Sequence, residues 1–307
     1  MPYYPQSAAG LNYITYPVGP TVEGATLTSG AIGVKGAYVE LGASSPFACN
    51  QVWLQVTRVI SVSNTIYGAS LDLATGAGGA EVIVIPDIYI SESAVVITPF
   101  TTTPSGEVTV PLAIASSTRL AARWQANAAS QQVAIAVTLS AAGGMAGMPA
   151  AMVQYGFAVD EGVKIDAGAT ANTKGSYVAI TASTSAVIQV LVLQFVADLV
   201  GGPNGILQAW AVDLATGAGG AEVVLMPDLR IAQCANVGGA GQATIVVPRS
   251  IPMLTYIAAS TRVAMRAAPY TSTGTVANRR FLVALLTGTA PTEPVAGVSQ
   301  SVQLCDG

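Results

Sequence analysis

The side chains able to do chemistry in this chain are carboxylates and guanidiniums, and they come in matched sets. Asp72, Glu81 and Asp87 recur as Asp213, Glu222 and Asp228, while Arg119 and Arg123 recur as Arg262 and Arg266. Three chemistries are open to such a set. Two carboxylates can flank a glycosidic bond as acid and nucleophile or base. Several oxygens can hold Ca2+, although no EF-hand-like spacing is present. Each carboxylate can also accept paired hydrogen bonds from a guanidinium. The spacing does not place two carboxylates at a catalytic separation, and two equal active sites in twin copies would be unusual. The arginines of each copy lie four apart, hence on one face of an extended strand. This favours ion pairs with the acids of the same copy or of a neighbouring subunit. The alternative is a set of solvated strand residues, each contributing little. These ten residues are the structural or interface candidates, and no catalytic, cofactor or metal residue is assigned.

Other chemistries fall away one by one. The chain has no histidine, which excludes Ser-His-Asp and Cys-His triads and zinc sites of the usual kind. Gly76-Ala77-Gly78-Gly79 leads into a valine-rich segment, not into the helix N-terminus that a phosphate cradle needs. Trp53, Trp124 and Trp210 do not recur at matching positions, so core or interface packing suits them better than a sugar-stacking platform. Cys49, Cys234 and Cys305 do not correspond between the copies, and an odd number leaves at least one thiol without an intrachain partner. Buried inert thiols are favoured over inter-subunit bonds formed outside a reducing cell.

The elements that position the acids and arginines are set by a duplication. Asp72 to Val82 reappears letter for letter at Asp213 to Val223; Val34 to Val39 parallels Thr173 to Val178, and Ser117 to Arg123 parallels Ser260 to Arg266. The expected organisation is an N-terminal arm (1–10), a first module (11–142), a linker (143–149), a second module (150–290) and a C-terminal arm (291–307). Period-two alternation predicts strands near 36–42, 51–60, 66–73, 80–86, 94–98, 107–113, 118–125 and 132–140. The second module repeats them near 175–181, 187–196, 207–214, 221–227, 243–248, 254–258, 261–267 and 280–287. The fold class is therefore all-β, with two tandem homologous antiparallel β-sandwich, jelly-roll-like domains. The duplicated glycines predict a tight hairpin, and Pro86 and Pro227 are expected to end its second strand.

Charged residues make up 9% of the chain, including only three lysines, against roughly 25% in an ordinary soluble domain. A free monomer normally coats itself with charge, so this shortage implies a surface covered by copies of itself or by partners; a neutral Ser/Thr-rich surface is the alternative. The net charge of −4 disfavours nucleic acid. No signal peptide is expected at Met1-Pro2-Tyr3-Tyr4-Pro5. Ala186 to Val200, the most apolar segment, is too short to cross a bilayer and is interrupted by Gln189, Gln194 and Asp198.

The Asp-Leu-Ala-Thr-Gly-Ala-Gly-Gly-Ala-Glu-Val motif with its following Pro-Asp, the later Ser-Thr-Arg strand, and Tyr38 to Ser44 together resemble structural modules of tailed bacteriophages. The resemblance covers most of both copies and implies a virion component. The expectation is a non-enzymatic building block, made in the host cytoplasm and resident in the virion as a head decoration or a tail or appendage protein. Its partners would be copies of itself and other virion proteins, with no cofactor, nucleic acid or membrane. The terminal arms would clasp neighbours. A receptor- or carbohydrate-binding tail fibre protein is the alternative.

Overall fold

The structure is a computed structural model that describes residues 12–17, 24–59, 69–91, 107–126, 128–141, 148–158, 161–168, 170–197, 207–234, 249–270 and 280–288. The expected arms and the predicted strands 94–98 and 243–248 lie outside these residues, as does most of the expected linker. Among the described residues every regular element is a strand. The first copy runs β1 (Asn12–Tyr16), β2 (Ala25–Thr28), β3 (Val39–Gly42), β4 (Cys49–Val59), β5 (Ala69–Thr75), β6 (Val82–Ser91), β7 (Glu107–Ile114), β8 (Leu120–Gln125) and β9 (Gln132–Ala141). The second runs β10 (Met152–Tyr155), β11 (Phe157–Ala158), β12 (Glu161–Asp166), β13 (Val178–Thr181), β14 (Ile188–Ala197), β15 (Leu207–Thr216), β16 (Val223–Cys234), β17 (Arg249–Ile257), β18 (Val263–Pro269) and β19 (Arg280–Gly288).

Each copy is a sandwich of two antiparallel sheets. In the first, the order β1-β9-β4-β7, with β2 also on β9, faces β3-β8-β5-β6. Taking β1 and β2 as one opening strand, this is the strand order of a jelly roll. The second copy repeats it as β12-β19-β14-β17, with β10 also on β19, against β13-β18-β15-β16. Alternation explains the packing: on β7, Val108, Val110, Leu112 and Ile114 point inward, and the residues between them do not.

Three features depart from the expected strand pattern. The openings of both copies, β1–β2 and β10–β12, are strands too short to show a clear period. Pro86 and Pro227 do not end their strands; β6 and β16 continue through them. Both are edge strands, so a missing amide costs no ladder bond. The register shifts there, and Asp87 and Asp228 adopt φ of 47° and 52°. Pro-Asp thus marks a β-bulge.

The two sandwiches meet unsymmetrically. In the first, β1 and β3 lie together at one side, where the Tyr16 hydroxyl donates to the Ser44 carbonyl (2.7 Å). Edge strands β6 and β7 leave the opposite side open. That opening is closed by the outer face of the β14–β19 sheet: Met152, Val190, Val192 and Leu286 join the first core, while Leu191, Leu193 and Phe195 face their own. The Ala113 amide donates to the Pro149 carbonyl across the junction (2.8 Å).

Candidate functional site: a duplicated ion cluster

Strand register brings the predicted acids and arginines together. Asp72 on β5 lies directly opposite Arg123 on β8, as Asp213 on β15 lies opposite Arg266 on β18. In the first copy Arg123 Nε meets Asp72 Oδ2 at 2.9 Å, and Lys35 Nζ bridges Asp72 Oδ1 (2.8 Å) and Asp87 Oδ1 (2.7 Å). The Asp87 amide, turned inward by the bulge, donates to Asp72 Oδ1 (3.0 Å), and Ser70 Oγ donates to Asp87 (2.9 Å). The Arg123 guanidinium also stacks on Tyr38, 4.5 Å from the ring centre. The second copy rebuilds this with Lys174, Asp213, Asp228, Arg266 and Tyr177; Lys174 lies 2.8 Å from Asp228 and Arg266 2.9 Å from Asp213.

A second set staples the hairpin. Arg119 Nη1 reaches Glu81 Oε1 (3.2 Å) and the Gly76 carbonyl (3.0 Å), and Glu81 Oε2 accepts the Gly79 amide (3.0 Å). Arg262, Glu222, Gly217 and Gly220 repeat these contacts. Arg119 also pairs with Glu40 (2.7 Å), whose place in the second copy is taken by Ala179. The letter-for-letter motif therefore has an internal reason: its Asp anchors one cluster, its first Gly lends a carbonyl, and its Glu closes the loop.

Lys35, Lys174, Tyr38 and Tyr177 are cluster members absent from the sequence-based set. The signal was present, since two of only three lysines occupy matching positions. Gly36 lets Lys35 reach the cluster, because a Cβ there would sit 1.8 Å from the Thr28 carbonyl oxygen.

Gly76 carries φ +102°, and a Cβ on it would lie 2.8 Å from the Ala80 oxygen, whereas Gly78 has only the end of the Arg119 side chain near it. Gly76→Ala is therefore expected to cost about 1–3 kcal/mol in urea denaturation, with Gly78→Ala nearly neutral.

The electrostatics are those of ion-pair partners. Burial would raise the Asp72 carboxyl, but Lys35, the Asp87 amide and Arg123 outweigh it and hold it below the usual carboxylate range. Asp213 is lowered likewise, burial being outweighed by Lys174, the Asp228 amide and Arg266. Glu81 is lowered first by its own amide, and Glu222 by its own amide and Arg262 against desolvation. Since these acids titrate lower folded than unfolded, their stabilisation is complete above about pH 4 and disappears as pH falls through the folded values. Thermal melts across that acid range should show a steep fall that Asp72→Asn and Asp213→Asn flatten; an unchanged slope would count against the clusters. Burial pushes the Cys49 thiol up to about 11, in keeping with an inert sulfur.

No family model and no curated protein matches this sequence. Solved structures align with most of this chain at low identity and low TM-score. The viral major capsid protein STIV MCP aligns at 9% identity and a TM-score of 0.39, over 91% of this chain and 96% of that one. PNGase F, a glycosylasparaginase from Flavobacterium meningosepticum, aligns at 9% identity and 0.38, over 91% and 96%. PNGF-II aligns at 9% and 0.35, over 93% of this chain and 66% of its own length, so the chain spans about two thirds of that protein. The expectation that the chain is not an enzyme is corrected, because a glycosylasparaginase stands among the structures that align with it. The physical reason is that a sandwich scaffold does not fix chemistry, and lack of histidine removes only histidine-dependent mechanisms. At these scores no residue role, substrate or activity passes from either neighbour to this chain.

Proposed function

We propose that this chain is a building block of a bacteriophage particle, placed on the head or in the tail and acting through subunit–subunit contacts. The observation that carries this reading is where the charge goes. Seven charged residues of the first copy and six of the second are committed to the internal pairs described above, out of 12 basic and 16 acidic residues in the whole chain. Few charges remain to keep the exterior hydrated and apart from other molecules. Large apolar side chains, among them Ile32, Val82, Val223, Leu254 and Tyr256, are exposed instead. Such a surface suits a protein that spends its life against others.

Mass spectrometry of purified particles, together with imaging of virions labelled on this chain, tests the role. The expected result is a fixed, multi-copy presence at one location. Absence from purified particles would reject the reading.

A further inference from the structure

Among the described residues, the same rim is covered in one sandwich and open in the other. In the first copy, the side between β6 and β7 is closed by the β14–β19 sheet. The corresponding side of the second copy lies between edge strands β16 and β17. Residues at matched registers differ in the way an empty seat requires. Val84 on β6 is 7% exposed, and its counterpart Leu225 on β16 is 40% exposed. Val110 is fully buried in the first core, whereas its counterpart Met253 is only partly buried against the second. Half-buried Pro111 and Ala113 correspond to Leu254 and Tyr256, which are 79% and 69% exposed.

The complementary face is also present, and no described residue of the chain closes it. The surface that closes the first sandwich centres on Met152, Val192 and Leu286, with Val192 opposite Leu286 on neighbouring strands. The matching face of the first copy presents Tyr13, Trp53 and Thr138, with Trp53 opposite Thr138 in the same register. Tyr13 and Trp53 are exposed. Thus, among the described residues, each chain uses one closing face and one open rim internally, and leaves one of each unused.

We propose that the open rim of the second sandwich receives the Tyr13–Trp53 face of another copy of this chain, repeating between subunits the junction that joins the two sandwiches within one. The contact is heterologous, head to tail. Trp53 and Tyr13 occupy its centre, where aromatic side chains carry much of the energy of such interfaces. The rim strands supply the apolar wall: Leu225 on β16, and Leu254 and Tyr256 on the outward face of β17; Val223 and Val224 stay outside it, as their counterparts Val82 and Ile83 stay exposed in the closed rim. This inference rests on the proposed assembly role and specifies its surface.

The test is solution association of the full chain, read by light scattering and sedimentation. Wild type should self-associate. Trp53→Asp and Leu254→Asp, both on exposed positions, should keep the wild-type circular dichroism and melt while weakening association by at least about thirtyfold. Tyr13→Asp and Tyr256→Asp serve as second variants should either substitution disturb folding. A Trp53→Asp chain keeps a good rim and a Leu254→Asp chain keeps a good closing face, so an equimolar mixture should form a 1:1 dimer that grows no further. A wild-type monomer at about 100 μM, variants that associate normally, or a mixture that stays monomeric would each overturn the proposal; that concentration is far above the Kd of a specific interface. The two readings fail separately: a chain found in particles yet monomeric loses this surface, and one that self-associates yet is missing from particles loses the virion role.

Discussion

Asp72→Ala is expected to lower the unfolding free energy by about 3 kcal/mol, because it strands two cations around a buried vacancy. The Asp72 side chain is only 3% exposed, while Lys35 and Arg123 are 14% and 29% exposed and can partly rehydrate, which sets the lower end of the range for broken buried pairs. The Asp87 amide also loses its acceptor. Asp72→Asn should cost less, since an amide oxygen can still take that hydrogen bond. Arg123→Ala should cost about 1–2 kcal/mol, a charge-assisted bond and the Tyr38 stacking together. Asp213→Ala should fall below Asp72→Ala, because Asp228 is more exposed than Asp87 and Ala211 stands where Ser70 adds a hydroxyl. Guanidinium denaturation of the four variants checks the ranking. A loss under about 1 kcal/mol for Asp72→Ala would reduce the cluster to ordinary surface pairs.

Trp124→Ala should be as damaging, at about 3–5 kcal/mol, since it empties a large volume in a dense core. Trp124 is 1% exposed and lies opposite Leu71 on the neighbouring strand. The second copy has Ala267 at that place and fills its core from the facing strand, with Trp210 opposite Pro269 one step along the same face. The two cores thus solve one packing problem from opposite strands, which is why the tryptophans do not align in sequence. Trp124 Nε1 has no hydrogen-bond partner among the described residues. Trp124→Phe, which removes that orphan donor and keeps most of the ring, should stay within about 1.5 kcal/mol of wild type. Equal losses for Phe and Ala would mean that the indole nitrogen matters in a way the packing does not show.

What could be read from the residues alone follows physical range. Alternation on β7 and β9 is local, and it located those strands within a residue or two. That the arginines pair with the acids is legible because both recur; that Arg123 takes Asp72 and Arg119 takes Glu81, within one copy, depends on strand register. Lys35 escaped because it lies on a loop, where no periodicity points toward the sheet. A missing amide makes proline a terminator only in interior strands, and edge position is a property of the whole sheet. The junction between sandwiches left a sign of another kind. Val190 to Phe195 is almost uniformly apolar, the pattern of a strand buried on both faces. With a bilayer span ruled out, the segment reads as a strand near 187–196; only beside a second sandwich does its uniform apolarity mark the sheet with a core on each side.

That junction contains a cost. Gln194 is fully buried on the face turned toward the first sandwich, and neither atom of its amide finds a partner among the described residues; Ser250 Oγ beside it is in the same position. Two bodies meeting from dilute solution would have to overcome such desolvation out of their own affinity. Joined by a short peptide, they meet at an effective concentration of order millimolar or above, and a flawed contact can persist. Tethering lets one copy of the contact carry that cost, while an untethered counterpart must attract its mate unaided. The Tyr13–Trp53 face carries the same glutamine, Gln55, at the matching register, and differs at Trp53, where the joined face has Val192.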